Sequence, residues 1–159
     1  MPTTVAVLAQ SAARVFRGHC ARARTSTIIV GGARLAATTY TFAVREHLKG
    51  SRRRRVTFRQ VGAPGGGPRD LGGLVGLPTY VPGTEYVLFL LPRGSAGLTS
   101  PAGAAEGAFI VREGNVRPLR GGRVAGAGLR TASPSAESSA PETLSYEALR
   151  RAVREALVR

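Results

Sequence analysis

Residues 38 to 61 read T-T-Y-T-F-A-V-R-E-H-L-K-G-S-R-R-R-R-V-T-F-R-Q-V, and this stretch decides the fold. Thr38, Tyr40, Phe42, Val44 and Leu48 fall on one side of an extended chain, while Thr39, Thr41, Arg45 and His47 fall on the other. That period of two is the mark of a half-buried strand. Glu46 is the one mismatch, close to the strand's end. A basic connection carrying Gly50 leads into a second strand, Val56 to Val61. The pair is expected at the centre of a small β-barrel.

Working outward, Thr3 to Ala13 fits a short helix, with Thr3 or Thr4 as cap and Val5, Leu8 and Ala12 at helical spacing. Val15 to Arg24 reads as the first strand. Val15, Arg17 and His19 alternate there with Phe16, Gly18 and Cys20, and the pattern leaves open which set faces inward. Gly18 supplies freedom for a bend. Thr25 to Arg34 holds Ile28, Ile29 and Val30 and carries the strand on toward a turn at Gly31-Gly32, before the next strand at Ala36.

Residues 62 to 83 form a long glycine- and proline-rich crossing loop. The run E-Y-V-L-F-L-L, Glu85 to Leu91, suits a strand buried on both faces. Ala108 to Arg112 and Val116 to Arg117 flank Glu113-Gly114-Asn115 as a hairpin. The inferred core is Tyr40, Phe42, Val44, Val56, Phe58, Val87, Phe89, Leu91, Phe109 and Val111. Residues 118 to 141 have the Gly, Ser, Ala, Arg and Pro composition of a flexible linker. Beyond it, residues 142 to 159 form an amphipathic helix. Ser145 is its cap, Leu144 and Leu149 its staple, and Leu149, Val153 and Leu157 its stripe with Ala152 and Ala156. Glu147 sits in the first turn, and Arg150, Arg151 and Arg154 are assigned to water.

The fold class that follows is mainly β: a five-stranded OB-like Greek-key barrel over residues 1 to 117, with a short amino-terminal helix and the linker-borne carboxy-terminal helix. At 159 residues the chain suits one ordinary domain. No apolar run approaches the roughly 20 residues of a membrane helix.

The formal net charge is +14. Residues 1 to 59 hold 12 basic groups against one acid, Glu46, and residues 60 to 159 hold 11 against 8. The amino-terminal part therefore carries the field. Of the basic residues only Lys49 is lysine, the kind of bias a GC-rich genome produces. The densest charge is Arg52, Arg53, Arg54 and Arg55, flanked by Lys49 and Arg59. These six are the candidate polyanion-binding residues, for single-stranded nucleic acid or another anionic polymer, with a solvated turn as the plainer reading. Single-strand binders usually add exposed stacking aromatics, and the aromatics here fall mainly on core phases, with Tyr80 and Tyr146 as the exceptions.

Other chemistry finds less support. Cys20 is the single cysteine, which excludes an intramolecular disulfide and a cysteine-cluster zinc site. Cys20 with His47 could be drawn as nucleophile and base, but Asp70 is the only aspartate and no nucleophile motif accompanies them. His19 and His47 have no spaced third ligand, so no metal is expected. Gly65-Gly66-Gly67 is not followed by G-K-[ST], and no cofactor is expected. The chain is read as non-enzymatic. No secretory signal is readable at Met1 to Arg14.

Four pieces in order, V-F-R-G-H-C (Val15 to Cys20), T-Y-T-F-A-V-R-E-H-L-K-G (Thr39 to Gly50), P-G-T-E-Y-V-L-F-L (Pro82 to Leu90) and E-G-A-F-I-V (Glu106 to Val111), carry a resemblance. The chain resembles uncharacterised exported bacterial proteins with a tissue-inhibitor-of-metalloproteinase-like, netrin-module-like OB-fold. The resemblance implies an extracytoplasmic, non-catalytic binding module whose partner is not named by the residues. The animal inhibitors chelate a protease zinc through an amino-terminal cysteine and are cross-linked by disulfides. This chain begins Met1-Pro2 and has only Cys20, so protease inhibition is not carried over.

Overall fold

A computed structural model describes residues 4–50, 52–62, 77–94, 97–119 and 144–158. Gly65-Gly66-Gly67, Asp70 and nearly all of the expected linker lie outside the described residues.

Helix α1, Val5–Ser11, starts where the Thr4 hydroxyl accepts the Val7 amide at 3.2 Å. Strands β1, Arg14–Val30, and β2, Ala33–Lys49, form one long antiparallel hairpin. The first strand thus runs on to the glycine turn, and the second begins at Ala33 rather than Ala36. Gly31 and Gly32 both have positive φ, 58° and 84°, which a two-residue turn matched to strand twist requires. Strand β3, Arg55–Val61, pairs with β2; β4, Glu85–Leu90, returns beside β1; β5, Ala108–Arg112, β6, Asn115–Pro118, and the short β7, Leu144–Ser145, follow. Helix α2, Tyr146–Val158, completes the described chain, its Ala148 amide donating to the Ser145 hydroxyl at 3.1 Å.

All seven strands form one antiparallel sheet in the order β3-β2-β1-β4-β5-β6-β7. The first four follow the Greek-key order. Among the described residues there are seven strands rather than the expected five, and their sheet does not close on itself. The outer edge of β3 is met by Arg93, Leu98 and Thr99. Arg59 bridges to Leu98, the Thr99 amide donates to the Arg59 carbonyl at 2.9 Å, and the chain runs on from Thr99 to β4, where the Ala102 amide donates to the Phe89 carbonyl at 2.7 Å. Isolated bridges here take the place of a strand ladder.

The inferred core splits in two, because the sheet is buried on both faces. On the inner face Phe16, Cys20, Tyr40, Phe42, Val56, Phe58, Tyr80, Tyr86, Leu88 and Leu90 pack together. Most of their rings meet edge to face, Tyr40 and Tyr80 at 4.7 Å between centroids and Phe16 and Phe42 at 5.5 Å, while Phe42 and Phe58 stack. The Tyr80 hydroxyl donates to Gln60 Oε1 at 3.1 Å, and Gln60 Nε2 donates to the Pro78 carbonyl at 2.6 Å, so the buried amide is paired. On the outer face Val15, Val87, Phe89, Phe109, Val111 and Val116 pack under α1 and α2. The run from Tyr86 to Leu90 alternates between the two cores, which explains why it is apolar throughout. Val44 and Leu91 are half-buried against these clusters rather than inside them.

Residue 46 marks a change of phase. Gly18 pairs with Val44 and Arg17 with Glu46, leaving Arg45 as an extra residue on β2. After this bulge Glu46 and Leu48 turn to the helix side, where Leu48 packs on the outer core. Leu48 therefore does not share a face with Tyr40 and Phe42. Gly18 sits against the bulge, where a Cβ would collide with the Ala43 carbonyl oxygen.

Candidate functional site

The helices cover only part of the outer face. Cross-strand partners in an antiparallel sheet point the same way, so the register of β1, β2 and β3 defines the remainder. Arg24 lies opposite Thr39, which lies opposite Arg59; Arg22 opposes Thr41, which opposes Thr57; His19 opposes Ala43, which opposes Arg55. Arg22, Arg24, Arg55 and His19 are exposed, and Arg59 is half-buried. The Thr41 and Thr57 hydroxyls are 3.3 Å apart between the arginine rows. Strands two apart are separated by about 9.6 Å, inside the roughly 10 Å Debye length at 0.1 M salt. The arginines therefore act as one field.

The border of this face toward the helices is held by ion pairs. Arg17 Nε donates to Glu85 Oε2 at 2.7 Å and its Nη2 to Oε1 at 3.2 Å, while Arg45 Nη1 stands 3.5 Å from the same carboxylate with its side chain 67% exposed. The hydrogen bond to Glu85 raises the Arg17 pKa. For Glu85, partial burial pushes upward, but the Arg17 hydrogen bond and the two guanidinium charges together pull its pKa below the ordinary value. The Arg17 guanidinium also lies 4.4 Å from the ring centre of Tyr146. Tyr146 donates to Glu46 Oε1 at 2.5 Å, and Arg150 Nε donates to Glu46 Oε2 at 3.0 Å. Arg150 thus belongs to the junction between α2 and β2 rather than to water. Leu144 is exposed instead of stapling the helix.

The residues expected to bind a polyanion are only partly brought together. Arg52, Arg53 and Arg54 lie exposed in the β2–β3 connection, and Arg55 joins that connection to the sheet face. His47 Nε2 donates to the Arg53 carbonyl at 2.5 Å, and the Val44 amide donates to the Arg54 carbonyl at 2.7 Å, tying the connection to β2. Lys49 is elsewhere. Its Nζ donates to the Ala9 and Ala12 carbonyls at 2.9 and 2.5 Å, holding the carboxy-terminal end of α1. Arg22, Arg24 and Arg45 were not singled out by their sequence. Their signal is the i, i+2 spacing of Arg22 and Arg24, readable only once the phase of β1 is known.

Every aromatic of the chain is buried. Tyr80 and Tyr146, the two expected exceptions, are 1% and 7% exposed. Cys20 and His47 do not meet either: Cys20 pairs with Phe42, and His47 stands opposite Phe16, four residues away along β1. The Cys20 thiol is buried, which pushes its pKa up. Among the described residues no group of three or more His, Cys, Asp or Glu side chains could hold a metal ion, and no helix is long and apolar enough to cross a membrane. No protein-family model matches the chain, and no curated protein matches it.

Proposed function

We propose that the chain is a non-catalytic binding module, an OB-like Greek-key fold that takes an anionic polymer on the part of the outer face of β1, β2 and β3 that α1 and α2 leave uncovered. One observation carries the reading: Arg22, Arg24, Arg55 and Arg59 are set in register on one sheet face, with the exposed Arg52 to Arg54 adjoining it. The Greek-key strand order and the flanking helices support the OB-like description, and an extracytoplasmic setting goes with the resemblance to exported proteins. The separation of Cys20 from His47 favours binding over catalysis.

The buried aromatics narrow the mode of recognition. Sequence-tolerant single-strand binding draws on base stacking as well as charge. With all nine Phe and Tyr side chains in the cores, this face reads charge and not bases. Binding is expected to be indifferent to base composition and steeply salt-dependent.

Titrating heparin and labelled single-stranded DNA at several salt concentrations tests this. On single-stranded DNA each phosphate contact contributes about 0.7 to the slope of log K against log salt, so the R22A/R24A/R55A variant should flatten it by about two units. An unchanged slope overturns the assignment to this face. If instead the quadruple alanine variant of Arg52 to Arg55 flattens the slope and R22A/R24A does not, the connection is the binding element and the sheet face is not.

A further inference from the structure

The β1–β2 hairpin outruns its neighbours. Pairing of β1 with β4 ends at His19, and pairing of β2 with β3 ends at Ala37. Among the described residues, Thr27–Val30 and Ala33–Ala36 therefore extend as a two-stranded ribbon, four residues deep on each strand, which at about 3.3 Å per residue is an overhang of about 13 Å.

Composition changes sharply along this ribbon. At its base stand Arg22 and Arg24, then Thr25, Ser26 and Thr27, and at its end Ile28, Ile29 and Val30 face Leu35, Arg34 and Ala33 across the hairpin. Ile28, Val30 and Leu35 continue the outer face below the arginine rows. Ile29 lies on the opposite face and is 67% exposed. From Arg14 to Arg45 the sequence holds no carboxylate.

We infer that this hairpin is a membrane-surface wedge, whose apolar tip enters the interfacial layer of an anionic phospholipid bilayer while Arg34 engages the lipid phosphates and Arg22 and Arg24, further back, add to the attraction. The inference rests on the anion-binding reading above and specifies the anion. Three features select a bilayer. The tip carries apolar side chains on both faces, Ile28, Val30 and Leu35 on one and Ile29 beside Arg34 on the other, which suits a medium that surrounds it rather than a partner docked on one side. An overhang of about 13 Å exceeds the roughly 5 to 10 Å depth of the headgroup and acyl boundary, so the domain body need not be immersed. Arg34 can extend its guanidinium back to the phosphate level along an apolar stem, and Arg22 and Arg24, about 20 Å and more behind the tip, add to the field that draws the chain to an anionic leaflet. Self-association by the same tip would bring together two chains of net charge +14.

The chain has no tryptophan, so Ile29→Trp places a single reporter at the tip. With the full chain, phosphatidylcholine vesicles containing phosphatidylglycerol should shift its emission to the blue and allow quenching by lipids brominated in the acyl chain. Vesicles of phosphatidylcholine alone should leave the emission unchanged. Ile29→Asp should lower affinity for the anionic vesicles by about tenfold or more while leaving heparin affinity within about twofold, because heparin offers no apolar phase. R22A/R24A should weaken both. Heparin binding without vesicle binding overturns the wedge and spares the arginine face; binding to neither overturns both. Ile29→Asp bound to vesicles as tightly as the parent chain overturns insertion of the tip. A dimer in sedimentation that Ile29→Asp turns to monomer, with no vesicle binding, assigns the tip to a second copy and overturns the wedge as well.

Discussion

The base and the tip of the β1–β2 hairpin belong to the same two strands and differ in almost everything else. At the base, Phe16, Cys20, Tyr40 and Phe42 are enclosed between β4, β3 and the segment carrying Tyr80. At the tip, Ile28, Ile29 and Leu35 have the same backbone pairing and, among the described residues, no third strand. Backbone hydrogen bonding is common to both regions, so it does not account for their difference in burial. What differs is the presence of neighbours able to remove apolar side chains from water, and that term dominates sheet stability.

The largest expected effect that tests this contrast is at the base. Phe42→Ala should destabilise by about 3 to 5 kcal/mol in denaturant unfolding, since the side chain is fully buried and touches four other rings. A cost below about 1 kcal/mol would mean that the inner core is not the stabilising centre of the sheet.

Alkaline titration probes the same core through its tyrosines. Burial raises the pKa of Tyr40 to about 12, pushes Tyr80 well above the ordinary phenol value, and raises Tyr86 and Tyr146 as well. A folded-state pKa above the unfolded one favours the protonated folded form. This contribution is complete below about pH 10, the ordinary phenol pKa, and is lost as the pH rises toward the folded value. Phenolate absorbance should therefore show no tyrosine ionising near pH 10 in the native protein, and one cooperative rise as alkali unfolds it. A tyrosine titrating normally in the folded chain would place at least one ring outside the cores.

The smallest effect belongs to the tip. Ile29→Thr keeps the β-branched backbone preference and removes only exposed apolar surface, so the stability change should stay within about 0.5 kcal/mol. A loss comparable to that of Phe42→Ala would show that something covers the tip in the folded chain.

Much of the sheet was legible because its strands obey a period of two. Tyr40, Phe42, Val56 and Phe58 share a core as their spacing required, and the continuous run from Tyr86 to Leu90 is buried on both faces as its lack of alternation required. The one irregularity of the leading motif also had meaning. Glu46 broke the alternation because a bulge at Arg45 turns it toward α2, where it accepts from Tyr146 and Arg150. That consequence could not be read locally, since the partners lie about a hundred positions further along the chain.

Sequence alone determined the β class, the Gly31-Gly32 and Glu113-Gly114 turns, the two capped helices and the strongly basic amino-terminal part, because each depends on residue type and short-range spacing. Tertiary structure decided that the apolar strands feed two cores rather than one, that Tyr80 and Tyr146 are buried, and that Lys49 holds the end of α1. It also decided that Arg22 and Arg24 join Arg55 and Arg59 on one face. Each of these depends on which strand lies beside which and on the bulges that reset their phase, and register is fixed by packing between segments distant in sequence.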